Sequence, residues 1–237
     1  MRMPLFLSLL ASLLSSLGFA EETKPTYEVR TLHGWTVHIR TELLDEKHRA
    51  MTEKGLTLIG QQMEVIEKVV PAKALATLKT INIWVSPPYA NARPRAEYHP
   101  GADWLKSQGR DPAMVKGVEF TDVEHLDKEV LRMPMLTLHE LAHGYHDQVL
   151  SFNNPEIKAA YEKAKASGTY DSVARRNWQG VLPKPEKAYA MTNPQEYFAE
   201  STEAFFGQND FFPFVRSELE KHDPTITAIL KKVWGAE

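Results

Sequence analysis

Residues 139–143 read HELAH, a pattern that places three ionisable side chains within one stretch of predicted buried helix, residues 135–150. Because side chains four residues apart lie on one face of a helix, His139 and His143 can bind the same zinc ion. Glu140 lies beside that face, where it can accept a proton from a water molecule at the metal. In 237 residues with nine histidines, about 0.03 such motifs are expected by chance. The pentapeptide therefore predicts a zinc site.

A catalytic zinc normally has three protein ligands, so a third ligand has to be found. His146 lies on the same helix face as His139, but seven residues rise about 10.5 Å along a helix, which is too far to share one ion. In metzincins a third histidine follows the first by ten residues, and that position here is Val149. We therefore assign no role to His146, and the third ligand must come from another segment.

Residues 193–206 read NPQEYFAESTEAFF and predict a second buried helix that begins at Asn193 and Pro194. Glu196 and Glu200 are four residues apart, so both can face the HELAH helix. One carboxylate can bind zinc while the other accepts a hydrogen bond from a ligand imidazole. The alternative is a solvated acidic helix face, which the aromatic neighbours and the need for a third ligand make less favourable.

The HELAH motif, followed about fifty residues later by EYFAE, resembles the gluzincin metallopeptidases, most closely the group of the anthrax lethal factor catalytic domain. In that group a tyrosine stands seven residues before the glutamate ligand, with an asparagine between them, and Tyr189, Asn193 and Glu196 match this order. The resemblance implies a zincin-like fold, Glu196 as zinc ligand, Glu200 as hydrogen-bond partner of a ligand imidazole, and Tyr189 as the group that stabilises the oxyanion or the leaving group. It covers residues 136–207, about a third of the chain that follows the N-terminal leader.

That leader, residues 1–20, is typical of a secretory signal peptide. Arg2 precedes a run of about 16 apolar and small residues, and the small residues Gly18 and Ala20 stand at the −3 and −1 positions of a cut before Glu21. The run is shorter than the roughly 20 residues that span a bilayer, so an uncleaved membrane anchor is less favoured. We expect cleavage after Ala20 and a secreted or periplasmic mature chain without membrane association.

The composition excludes several classes of protein. Apolar residues make up 43% of the chain and charged residues 25%, close to the values for soluble globular proteins. The formal net charge of −3 offers no basic excess for a phosphate backbone, so we expect no nucleic-acid partner. Because the chain has no cysteine, disulfides and thiolate-bound metals are excluded.

Strand patterns dominate the first half of the chain and helical patterns the second, which predicts an α+β fold. Alternating residues at 27–32 and 35–40 predict a β-hairpin, and residues 81–85 and 118–121 predict two further strands. Apolar residues at helical spacing over 45–70 predict a long amphipathic helix.

We expect a single zincin-like catalytic domain, residues 21–237. Its first lobe, residues 21–150, would hold a small mixed sheet and the HELAH helix, and its second lobe, residues 151–237, would be helical and carry the glutamate ligand.

The substrate is expected to lie extended along residues 118–121, taken as an edge strand beside the HELAH helix. Residues 86–117, rich in proline and glycine, predict an ordered loop at the same cleft. In that loop Tyr98, His99 and Trp104 are candidate substrate contacts.

These observations together predict a monomeric zinc metalloendopeptidase that hydrolyses a peptide or protein substrate. One zinc ion per chain would be held by His139, His143 and Glu196, with Glu140 as general base and Tyr189 as a second catalytic group. The main alternative is an exported zinc-binding module without catalysis, but Glu140 argues against it because metal binding does not need that side chain. An intracellular hydrolase is opposed by the leader.

Overall fold

The computed structural model describes residues 24–90, 96–177, 179–182 and 184–236. The leader lies outside these ranges, so its cleavage stays a prediction. None of the helices in the described residues is long and apolar enough to span a membrane.

The strands of one mixed sheet all lie in the first half of the chain. Its strands are β1 (Tyr27–Leu32), β2 (Trp35–Arg40), β3 (Ile83–Val85), β4 (Ala96–Tyr98) and β5 (Val118–Phe120). Their order in the sheet is β1-β2-β3-β5-β4, with β1–β2 and β4–β5 antiparallel and the inner pairs parallel. The predicted hairpin is confirmed: His33 and Gly34 both have positive φ, as a tight two-residue hairpin turn requires.

The position of β5 corrects the prediction for the substrate strand. β5 lies inside the sheet, paired with β3 on one side and β4 on the other, so residues 118–121 cannot receive an extended peptide. The prediction was wrong because residues 86–117 are not simply a loop: they include β4 and a short helix, and β4 folds back along the outer side of β5. Among the described residues, the two edges of the sheet are β1 and β4, and β4 is the edge beside β5.

Helices make up most of the remaining described chain. They are α1 (Arg49–Val69), α2 (Ala72–Leu78), α3 (Ala102–Ser107), α4 (Leu126–Arg132), α5 (Leu136–Tyr145), α6 (Pro155–Ser167), α7 (Pro194–Phe206), α8 (Arg216–His222) and α9 (Pro224–Trp234). The long helix predicted at 45–70 is confirmed as α1. The predicted HELAH helix is α5, which continues as a π-helix over His146–Leu150.

Gly144 lets α5 approach the sheet closely. A Cβ atom at this position would lie 2.6 Å from the Cδ1 atom of Ile81 and 3.2 Å from the ring of Tyr98. Helix α5 carries His143 directly before this glycine, so the close approach fixes the distance between the histidine pair and the edge strand β4.

The α+β class, the small mixed sheet and the mainly helical second half are confirmed. The second half also contains a small hairpin, β6 (Arg176–Asn177) and β7 (Gly180–Val181), which the helical prediction for residues 151–237 had missed.

Candidate metal centre

Two buried helices bring the predicted ligands together. Every residue of α5 is buried, because this helix lies between the sheet and the helices of the second half. Helix α7 starts as predicted, with Pro194 in its first turn and the Asn193 side chain accepting a hydrogen bond from the backbone N–H of Glu196 at 2.8 Å. This cap holds the first turn of α7, and with it Glu196, against the HELAH motif.

His139, His143 and Glu196 converge on one point. Their Nε2, Nε2 and Oε2 atoms form a triangle with sides of 3.2, 3.2 and 3.3 Å. Ligand atoms about 2.0–2.1 Å from a tetrahedral zinc ion lie about 3.3–3.4 Å from one another. The triangle therefore fits one face of a zinc coordination tetrahedron.

The chemistry of this donor set also fits a cation. Burial alone would raise the pKa of Glu196, but hydrogen bonds from the two imidazoles outweigh it and hold this pKa well below its usual range. The carboxylate thus stays ionised at neutral pH, as metal binding requires. Two imidazole nitrogens and one carboxylate oxygen are ligands that zinc prefers.

Glu203, and not Glu200, accepts the hydrogen bond from His139. The Nδ1 atom of His139 lies 2.7 Å from a Glu203 oxygen and 3.9 Å from a Glu200 oxygen. The sequence-based role of Glu200 is therefore corrected: its carboxylate accepts a hydrogen bond from the Asn209 side-chain amide at 3.0 Å. Glu203 lies seven residues after Glu196, two helical turns further along the same face, but helical spacing admits Glu200 equally and does not separate the two.

Exchange of this buried carboxylate tests its role. Glu203→Gln is expected to weaken zinc binding about 10–100-fold, because the partner of a ligand histidine fixes its tautomer and raises its basicity. Glu200→Gln is the matched control and should have a clearly smaller effect. Competition with a chromophoric chelator measures both affinities. A larger loss in Glu200→Gln than in Glu203→Gln would contradict the assignment.

Glu140 is held by the edge strand. Its Oε2 atom accepts a hydrogen bond from the backbone N–H of Tyr98 at 2.8 Å. Burial raises the pKa of Glu140, which the neighbouring histidines oppose. A carboxylate with a pKa moved toward neutrality is suited to accept and return a proton at physiological pH.

Tyr189 reaches the same point from the opposite side of the cleft. It begins a 3₁₀ turn, Tyr189–Met191, and its hydroxyl donates to the Oε1 atom of Glu196 at 3.4 Å. The residue is 46% exposed and lines the cavity at this site.

A cavity of about 910 Å³ contains this constellation and is bordered by the edge strand β4. His139, Glu140, His143, Tyr189 and Glu196 all line it. A concave site with a few convergent polar groups is typical of a ligand-binding or active site.

The structure places only one of the three candidate substrate contacts from residues 86–117 in the cavity. Tyr98 lines the cavity. His99 is buried beneath the sheet, where its Nε2 atom lies 2.9 Å from the Glu119 carboxylate. Trp104 packs over the guanidinium of Arg110. Neither of these two is among the described lining residues: His99 is buried, and Trp104 is 41% exposed at a place outside the cavity.

His146 is buried, and neither of its ring nitrogens has a hydrogen-bond partner among the described residues. Its ring contacts Phe152 and Phe198. These aromatic surroundings are consistent with a histidine that does not bind the metal.

No protein-family model and no curated protein matches this chain. One similar solved structure is that of the Pro-Pro endopeptidase PPEP-2 from Paenibacillus alvei, with 19% sequence identity and a TM-score of 0.39 over 77% of this chain and 90% of that chain. A TM-score this low does not establish a common fold, so any function has to be inferred from the site alone. The resemblance to the lethal factor group stays a prediction.

Proposed function

We propose that this chain is a zinc-dependent peptidase of the zincin type, with Glu140 as its general base. The observation that carries the proposal is the triangle of His139, His143 and Glu196, whose dimensions fit tetrahedral zinc, beside a buried glutamate in an open cleft. Elemental analysis of the purified protein should give about one zinc per chain, as expected for a single site of this type.

Zinc, when bound, supplies a Lewis acid that polarises a carbonyl group and acidifies water. The chain supplies the proton transfer. Glu140 accepts the proton of the attacking water and delivers it to the departing amine, so one carboxylate acts first as base and then as acid. The hydrogen bond from the Tyr98 backbone occupies one oxygen of Glu140 and orients the other toward the cleft.

The substrate is proposed to bind as an additional strand along β4. This strand borders the cavity, and among the described residues no strand pairs with its outer side. The N–H of Tyr98 points away from β5, which shows that the outer backbone groups of β4 face the cleft. An extended peptide can pair with such an edge, and its scissile bond then lies beside Glu140.

Tyr189 is proposed to donate a hydrogen bond to the negative charge that develops on the carbonyl oxygen. Its hydroxyl is within reach of the metal ligand Glu196, and the residue lines the cleft. A donor of this kind contributes more in the transition state than in the ground state.

Tyr189→Phe is expected to lower kcat by about 10- to 100-fold and to change KM little, because the lost hydrogen bond acts mainly in the transition state. Steady-state kinetics on one peptide substrate measures both constants. Tyr145→Phe is a matched control, since this hydroxyl bonds the backbone of Val233 and lies outside the cleft lining. An unchanged kcat in Tyr189→Phe would remove the residue from the mechanism.

Export of the chain is part of the proposal, supported by the leader at residues 1–20. Fractionation of cells that express the full sequence, followed by mass determination, should find a chain that begins at Glu21 outside the cytoplasm. An unprocessed cytoplasmic chain would contradict this part alone.

A further inference from the structure

Two arginines in the cavity wall share one buried carboxylate. The Oδ2 atom of Asp210 accepts hydrogen bonds from the Nη1 atom of Arg132 at 3.0 Å and from the Nε atom of Arg175 at 3.2 Å. Asp210 is 2% exposed, whereas both arginine side chains are 28% exposed. All three residues line the cavity that contains the metal centre. The buried carboxylate therefore holds two partly accessible guanidinium groups side by side.

Backbone hydrogen bonds connect the segments that carry these groups. Arg175 forms an isolated β-bridge with Phe211, and the N–H of Arg176 donates to the carbonyl of Asp210 at 2.7 Å. On the other side, Val173 and Glu186 form a second bridge. The guanidinium of Arg175 also lies over the Phe211 ring, with its carbon 4.5 Å from the ring centre. Contacts with neighbouring segments of the chain therefore hold Arg175 in place.

On the solvent side, two glutamates accept hydrogen bonds from further donors of the two guanidinium groups. Glu129 accepts from Arg132 at 2.6 and 3.2 Å, and Glu186 accepts from Arg175 at 3.1 Å. Their side chains are 43% and 44% exposed. Exposed ion pairs of this kind contribute little to stability, so an incoming carboxylate can displace either glutamate at small cost.

The position of the arginine pair relates it to the reacting bond. Arg132 ends α4, directly before the helix that carries His139 and Glu140. Glu186 precedes Tyr189 by three residues. Arg132 and Arg175 are thus cations of the cavity wall whose solvent-side partners, Glu129 and Glu186, are exposed and can be replaced by another carboxylate.

We propose that Arg132 and Arg175 form a carboxylate-binding subsite, so that the preferred substrate carries a negative charge near its scissile bond. This inference rests on the proposed function, because it places a peptide in the cleft. The guanidinium group presents several N–H donors in a planar fork that matches a carboxylate, and two such groups share only one buried negative charge. The carboxylate can belong to an aspartate or glutamate side chain or to the C-terminus of the peptide.

Paired peptides test the subsite and separate the two sources. In one set, glutamate is placed at successive positions around the cleaved bond and compared with glutamine at the same position. In a second set, a free C-terminus is compared with an amidated one at varied distance from the bond. We expect kcat/KM to be about 10- to 100-fold higher for the carboxylate member at one position of one set.

Three variants connect this preference to the arginines. Arg175→Gln should reduce the ratio of kcat/KM for the carboxylate peptide to that for the amide peptide about tenfold or more. Glu186→Gln should increase the preference, because it removes the carboxylate that competes for Arg175. Arg216→Gln is the charge-matched control on α8, outside the cavity lining, and should change nothing. If Arg175→Gln does not fold, Glu186→Gln still tests the subsite, because Glu186 is exposed and its exchange should leave the fold intact.

Equal cleavage of carboxylate and amide peptides by the wild-type protein would overturn the subsite and leave the peptidase function intact. If no peptide is cleaved, the proposed function is wrong, and peptide binding is then the test of the subsite. Fluorescence anisotropy of the same labelled peptides should then show tighter binding of the carboxylate member, lost in Arg175→Gln. Equal binding of both members would overturn the subsite in that case also.

Discussion

Glu140→Gln is expected to reduce peptide hydrolysis by at least about 10²- to 10⁴-fold while zinc binding remains close to that of the wild-type protein. Glutamine keeps the size of the side chain and can still accept the hydrogen bond from the Tyr98 backbone. It cannot accept the proton of the attacking water, so the loss falls on the chemical step. Single-turnover kinetics, with zinc content determined on the same samples, separates this step from binding.

The matched control is Glu97→Gln, a carboxylate that lines the same cavity but whose described ion pair is with Arg110. This variant should retain most of the activity. If Glu140→Gln with full zinc occupancy hydrolyses peptides at the wild-type rate, Glu140 is not the general base.

Removal of zinc is expected to abolish activity and to lower the melting temperature by about 5–10 °C. The ligands come from two helices that the unfolded chain does not hold together, so zinc binds the folded state preferentially. At a free zinc concentration of 100 times Kd, this contributes about 2.7 kcal/mol to the free energy of unfolding. For a chain of this length, 1 kcal/mol corresponds to about 2–4 °C.

Glu196→Ala should reproduce the loss of zinc and of activity without a chelator. Glu220→Ala, on the exposed surface of α8, is the control and should bind one zinc ion. Scanning calorimetry with and without zinc, combined with elemental analysis, measures both effects. Full zinc affinity in Glu196→Ala would show that the third ligand is a different residue.

The local elements could be predicted because their signals lie in short stretches. The alternation around His33 and Gly34 predicts the hairpin, and the apolar spacing over residues 45–70 predicts α1. The four-residue spacing of His139 and His143 predicts a shared ion, and both Nε2 atoms do meet at 3.2 Å.

The order of the strands could not be predicted in this way. β4 has three residues in a segment rich in proline and glycine, and its pairing with β5 is a long-range contact. A strand of three residues shows no clear alternation of apolar and polar side chains, so the sequence does not predict β4 and leaves β5 as the expected edge strand.

The choice between Glu200 and Glu203 shows the same limit inside the site. Helical spacing places both carboxylates on the side of α7 that faces α5. Which of them reaches the Nδ1 atom of His139 depends on the angle and height at which the two helices cross, and the sequence of α7 does not contain this information. The arginine pair was missed for a related reason, since Arg132, Arg175 and Asp210 are widely separated along the chain and their contact depends on how α4 packs against the segments beside β6 and after α7.

The most direct test of a zinc peptidase is the hydrolysis of an unfolded protein such as casein by the purified, zinc-loaded chain, with the products identified by mass spectrometry. We predict that cleavage products accumulate, that a chelator stops their formation, and that added zinc restores it. If a sample with one zinc ion per chain leaves casein and a diverse peptide library intact, the chain is a metal-binding module and the peptidase function is wrong.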